Sequence, residues 1–133
     1  MDIIKNTFYA VVGSKILTYL FEKLGVPEPP SPPIKSIKII YINAFIEEII
    51  FRLPLFLYSK YINKYNNLAC LFQSLIFAYV HIRKEFTLST SICVFSVVFF
   101  GGMLLGNLAI NTTVTHSTIV HFLYNVITLY KFK

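Results

Sequence analysis

Long apolar runs fill most of this 133-residue chain, and the polar breaks between them are short. Only 14% of the residues are charged, against about 25% in soluble proteins, and the mean hydropathy is +0.66. Such runs are typical of helices that cross a membrane, whose hydrocarbon core needs about 20 residues of helix. The runs cover residues 3–21, 37–58, 68–81, 88–110 and 114–130.

The sequence therefore predicts an all-α integral membrane protein with a four-helix transmembrane core and one N-terminal helix. Residues 1–25 hold the N-terminal helix, which either spans the membrane or lies at its interface, and residues 37–133 hold the core. The prolines within 26–36 predict a stiff extended linker between the two parts. Gly102 and Gly106 form a GxxxG stripe, which predicts close approach of a neighbouring helix backbone.

The net charge of +6 does not indicate nucleic-acid binding, because most cations lie in the breaks between apolar runs. In a membrane protein, lysine and arginine in these breaks mark the cytoplasmic side. With five spans, the side that holds the carboxyl terminus carries the larger share of the cations, so we expect a cell-membrane protein with a cytoplasmic carboxyl terminus. That side holds Lys23, Lys35, Lys38, Arg83, Lys84, Lys131 and Lys133, and the other holds Lys5, Lys60 and Lys64.

Two adjacent carboxylates and an arginine interrupt the second run at Glu47, Glu48 and Arg52. Ionised groups at bilayer depth cost at least a few kcal/mol each and by default face a protein interior. On a helix, Glu48 and Arg52 lie four apart on one face, in the order that favours an ion pair. Glu47 has no cation at that spacing. The pattern therefore predicts one structurally paired carboxylate beside one that is available for chemistry.

Three further polar groups stand out in the later runs: His81 ends the third, and His121 and Asn125 share a helix face in the fifth. Each also has a structural interpretation. His81 would suit the membrane interface, and His121 with Asn125 would suit an interhelical hydrogen-bonding pair worth about 0.6–2 kcal/mol. The six groups together favour a site. From their depth along the helices, we expect a cavity that water enters from the cytoplasmic side.

These residues also match the motifs of a known family. Residues 47–52 fit EExxxR, residues 77–81 fit FxxxH and residues 121–125 fit HxxxN, in this order and each on its own predicted helix. The chain therefore resembles the CAAX-protease and bacteriocin-processing (CPBP, or Abi) intramembrane protease family, which includes the Ras-converting CAAX endopeptidases. The resemblance covers about residues 37–130. Each motif alone is weak, whereas the ordered set is specific.

The resemblance implies an endopeptidase that cleaves a peptide or membrane-protein substrate at the lipid bilayer, with CAAX-type prenyl-protein processing as one version. It makes Glu47 the general base, assisted by His81, and gives His121 and Asn125 the oxyanion hole, while Glu48 and Arg52 position the acidic helix. The chain is shorter than the family's prenyl-protein proteases, and it has Leu53 and Pro54 where much of the family has glycine after the arginine. Recognition of a prenylated tail therefore remains open.

Zinc is the less favoured alternative cofactor. One glutamate and two histidines suit zinc, but the neutral amide of Asn125 is a poor zinc ligand and a good hydrogen-bond donor, so we expect no metal.

Two other functions remain open. One is a non-catalytic binding module, such as a bacteriocin-immunity protein, and the other is an ion or proton pathway. The pathway is the weakest, since the fourth run offers few polar groups to continue it.

Overall fold

A computed structural model describes residues 2–26 and 36–129, which form helices and contain no strand. Each predicted run is one helix, with bounds within three residues of the prediction wherever both ends are described. Most of the predicted linker, and the end of the fifth run at Tyr130, lie outside the described residues. The helices are α1 (Ile3–Lys23), α2 (Ile37–Tyr61), α3 (Asn66–Val80), α4 (Leu88–Asn111) and α5 (Val114–Leu129).

Short polar side chains fix where the helices begin. Asp2, Ser36 and Thr87 precede α1, α2 and α4, and each side-chain oxygen accepts a hydrogen bond from a backbone N–H in the first turn. Such caps satisfy amide groups that have no partner within the helix. At the other end of α1, Gly25 takes a φ of +84°, which only glycine adopts without steric cost, and the chain leaves the helix there.

The GxxxG stripe of α4 packs closely against α3, as the sequence predicts. A methyl group placed on Gly102 would lie 3.3 Å from the backbone Cα of Ser74. One placed on Gly106 would lie 2.7 Å from Sγ of Cys70 and 2.8 Å from Nε2 of Gln73. Gln73 in turn donates to the carbonyl of Gly102 across the interface, at 3.1 Å. The small residues therefore allow both close packing and an interhelical hydrogen bond.

The distribution of polarity is inverted relative to a soluble protein. Glu48, Arg52 and Ser117 are completely buried, whereas Ile50 and Phe72 on the outer faces of α2 and α3 are about 60% exposed. Large apolar side chains are exposed on each of the five described helices. Exposed apolar surface on this scale marks a site of contact with a membrane or with another protein.

Only one described helix is both long and apolar enough to cross a membrane by itself, and it is α4. α3, α5 and α2 fall short of this requirement for different reasons. α3 and α5 have 15 and 16 residues, or about 23 Å of helix against a hydrocarbon core of about 30 Å. α2 is long enough but carries Glu47, Glu48 and Arg52 among its charges. A four-span transmembrane core is therefore part of the proposal below.

The close α3–α4 contact gives a first prediction. Replacing Gly106 with alanine should lower the free energy of unfolding by about 1–3 kcal/mol, because the new methyl group overpacks the space beside Cys70 and Gln73. Thermal unfolding of the purified protein in detergent would measure this. Gly101→Ala is the matched control, since a methyl group there has no neighbour within 4 Å. Equal stability of the two variants would contradict the close-packing interpretation.

Candidate active site

A cavity of about 420 Å³ lies among the five helices, and the four residues to which the sequence assigns chemistry all line it: Glu47, His81, His121 and Asn125. Its walls come from the middle of α1, the first half of α2, the end of α3, the first three quarters of α4 and the second half of α5. The cavity therefore extends from the middle of the helix bundle toward the end where α3 finishes. Part of the remaining lining is aliphatic, chiefly from Val94, Val97, Val98 and Leu105 on α4.

Glu47 faces two imidazoles. Its Oε2 lies 3.8 Å from Nε2 of His81 and 3.5 Å from Nε2 of His121. The side chains of Glu47 and His81 are both 31% exposed, so water reaches this pair, whereas His121 is 7% exposed. Both distances exceed a direct hydrogen bond, for which about 2.7–3.2 Å is usual. They are spacings at which a water molecule bridges polar groups.

The hydrogen bond made by Nδ1 shows which ring nitrogen of His81 carries the proton. Nδ1 of His81 lies 2.7 Å from the backbone carbonyl of Phe77, one turn earlier on α3. A carbonyl only accepts hydrogen bonds, so Nδ1 carries the proton and donates. In the neutral ring, Nε2 then presents a lone pair toward Glu47 and the cavity. Since His81 is also the residue at which α3 ends, its ring is held by the last turn of the helix.

Glu48 points away from the cavity into a fully buried polar cluster. Its Oε1 lies 2.8 Å from Nδ1 of His121, and its Oε2 accepts a short hydrogen bond from the hydroxyl of Ser117. Oε1 also lies 3.6 Å from Nε of Arg52, so the predicted pair of Glu48 and Arg52 is present as an ion pair. Ser117 and His121 both belong to α5, so one carboxylate of α2 joins the two helices.

Arg52 has charge and ring contacts but no described hydrogen-bond partner. Its three guanidinium nitrogens are buried and lack an acceptor among the described groups. The guanidinium carbon lies 3.9 Å from the centre of the Phe77 ring, which is a cation–π contact. The Phe77 ring also packs edge-on against His81, at 4.6 Å between ring centres. The phenylalanine of the FxxxH motif therefore separates the buried cation from the cavity.

Sequence reasoning missed two parts of this site. Ser117 lies one turn before His121, and its four-residue spacing was the available signal. The wall from α1 gave no signal, because Ser14, Lys15 and Thr18 are ordinary polar residues in a moderately apolar run. Neither the partner of His121 nor the position of α1 follows from spacing along the chain.

A family model matches most of the chain. A model of the family described as type II CAAX prenyl endopeptidase Rce1-like matches residues 29–127, about three quarters of the chain. The match includes α2 to α4 and nearly all of α5. The comparisons with curated proteins and with solved structures give no match.

The chain is thus a member of a protease family whose proteins are embedded in membranes. It belongs to the Rce1-like family, and the resemblance seen in its three motifs is confirmed.

The buried cluster gives a second prediction. Arg52→Met should lower the free energy of unfolding by about 3–5 kcal/mol, because it leaves the buried Glu48 carboxylate without its arginine. Adding Glu48→Gln should recover part of this loss, since the unpaired charge is then gone. Chemical unfolding in mixed micelles would measure both variants. Arg83→Met is the matched control: its pair with Glu85 is at least half exposed and is worth less than about 1 kcal/mol.

Strict additivity of the two substitutions would contradict this interpretation, since groups that interact in one cluster give non-additive changes.

Proposed function

We propose that the chain is an intramembrane endopeptidase in which Glu47 and His81 activate a water molecule while His121 and Asn125 stabilise the oxyanion. One observation carries the proposal: the Glu47 carboxylate lies within 4 Å of Nε2 of both histidines. These three groups line one water-accessible cavity together with Asn125. Membership of a protease family gives the reaction class, hydrolysis of a peptide bond.

The attacking water would lie between Glu47 and His81. A water about 2.8 Å from each group fits over a 3.8 Å separation as the apex of a triangle. Glu47 takes one proton from the water, and the oxygen attacks the carbonyl carbon of the scissile bond. When the C–N bond breaks, protonated Glu47 returns this proton to the leaving amine. General base catalysis of this kind contributes roughly 10²–10⁴-fold to the rate.

The proposed oxyanion hole uses the free edge of His121. Because Nδ1 donates to the Glu48 carboxylate, Nε2 carries a proton only in the imidazolium form. In that form, Nε2–H donates to the negative oxygen of the tetrahedral intermediate. The amide of Asn125, one turn along α5 in the same cavity, is the second donor. Each donor of this type contributes about 3–4 kcal/mol.

The reaction needs no metal in this proposal. Metal-free hydrolysis is favoured over zinc-dependent hydrolysis by the chemistry of the side chains. The carboxylate and the imidazoles supply a base and a proton donor, and Asn125 adds a neutral amide, which donates hydrogen bonds.

The membrane is the proposed environment. Apolar side chains cover the outside of the bundle while charged groups are buried inside it, and α4 is long and apolar enough to span a membrane. The substrate in this proposal is a peptide segment near the membrane surface, with CAAX-type prenylated tails as the class that the family name indicates.

The catalytic assignment gives a third prediction. A quenched fluorescent peptide library that includes a farnesylated CAAX peptide should be cleaved by the protein in liposomes. Glu47→Ala and His121→Ala should each lower kcat at least about 100-fold. A chelator should leave the rate unchanged. His116→Ala is the matched control, since His116 is also on α5 but bonds to Thr113 and does not line the cavity.

Cleavage that a chelator abolishes would replace this mechanism with a metal-dependent one. No cleavage by folded protein would favour the non-catalytic binding module.

The membrane topology gives a fourth prediction. With Cys70 and Cys93 replaced by serine, a single cysteine at Lys84 should be shielded from an impermeant maleimide added to intact cells. One at Lys64 should react, because the distribution of cations puts the 59–66 turn on the outer side. The opposite pattern would reverse the orientation and move the cavity to the outer face.

A further inference from the structure

One wall of the cavity comes from α1, a helix that lies wholly outside the segment matched by the family model. The match begins at residue 29, whereas α1 ends at Lys23. On α1, Ala10 and Ser14 lie one turn apart, line the cavity and are each only 5% exposed. This buried face of α1 therefore borders the candidate active site, although the family model does not include it.

A hydrogen bond joins this face of α1 to α5. The Tyr124 hydroxyl donates to Oγ of Ser14 at 3.0 Å, and Oγ of Ser14 donates to the backbone carbonyl of Ala10 at 2.8 Å. Hydrogen bonds linked in this way polarise and strengthen one another. Because the chain of bonds ends on the backbone of α1, the phenol of Tyr124 is held by a helix rather than by a mobile side chain.

α1 is also packed closely against α4. A methyl group placed on Gly13 would lie only 2.4 Å from the Phe100 ring of α4, so this ring packs directly on the α1 backbone. A small residue allows such a close approach between helices. Gly13 directly precedes Ser14, and the position of the Ser14 hydroxyl is therefore set by contacts with two other helices.

Tyr124 lies between the two proposed oxyanion donors, three residues after His121 and directly before Asn125. The ring of His121 is fixed by its hydrogen bond to Glu48 of α2. The Asn125 amide, by contrast, has no hydrogen-bond partner in the part of the chain that the structure describes. Its position therefore depends on how the backbone of α5 is held, and the bond from Tyr124 to Ser14 holds that backbone at the adjacent residue.

We propose that Tyr124 and Ser14 are positioning residues that place the Asn125 amide at the oxyanion, so that α1 belongs to the candidate active site. The two oxyanion donors are then fixed by different helices, His121 by α2 and Asn125 by α1. Misplacing a catalytic group by about 1 Å can cost about 100-fold in rate, so one hydrogen bond beside the donor has a measurable effect. This inference rests on the proposed endopeptidase function.

Cleavage kinetics of the full-length protein in liposomes test the inference, with the peptide of the quenched library that the wild-type protein cleaves best. Ser14→Ala and Tyr124→Phe each remove the hydrogen bond and keep the rest of the side chain. Each should lower kcat about tenfold and leave KM within about twofold, because the oxyanion forms only after the substrate has bound. The double variant should be no slower than either single variant, since both changes remove the same bond.

Two further variants separate positioning from a general effect on folding. In protein that already carries Asn125→Ala, Ser14→Ala should change kcat by less than about twofold, because the group that the bond positions is gone. Thr7→Ala is the matched control and should keep the wild-type kcat. The Thr7 hydroxyl is also buried on α1, at 6% exposed, but it donates to the carbonyl of Ile3 within its own helix and does not line the cavity.

Three results would overturn the inference and leave the endopeptidase in place. The first is a wild-type kcat in Ser14→Ala or Tyr124→Phe, and the second is an equally large loss in Thr7→Ala. The third is an equal loss from Ser14→Ala with and without Asn125, since the bond would then act on the whole fold. No cleavage by folded wild-type protein would overturn the proposed function and this inference with it.

Discussion

The buried charge of Glu48 is the constraint on which the arrangement of the helices depends. A carboxylate with no exposure to water needs opposite charge and hydrogen-bond donors around it. α2 can supply only Arg52, four residues away on the same face, and that contact is 3.6 Å long. The hydrogen bonds come from Ser117 and His121 of α5. Burying Glu48 therefore requires α5 to lie against α2 with one particular rotation about its axis.

That rotation also sets the geometry of the candidate site. With Nδ1 of His121 on Glu48, the ring turns its other nitrogen toward Glu47 and the cavity. The two adjacent glutamates thus lie on opposite sides of one imidazole, one buried and one accessible to water. The proposed division of labour, with Glu48 holding the ring and Glu47 acting on the substrate, follows from the 100° turn between neighbouring residues of a helix.

Much of the fold is predictable from the chain alone. The apolar runs give the five helices and their bounds, because each run is separated by capping residues, glycine or polar turns. The GxxxG stripe correctly indicates the close contact of α4, since glycine leaves room for a backbone whatever the sequence of the partner. The three motifs identify the four cavity residues and the family. Membrane crossing by the helices stays a prediction, since α4 is the one described helix that is long and apolar enough to span a membrane by itself.

The sequence by itself determined which residues are polar within the apolar helices, and spacing showed which of them share a face with a neighbour on the same helix. It could not determine contacts between helices, because the period of 3.6 residues fixes directions around one axis only. The tertiary structure decided that His121 lies between two carboxylates, that Ser117 completes the buried cluster and that α1 closes the cavity. These contacts depend on how five helices rotate and pack together, and burial of one carboxylate among them selects the rotation of α5.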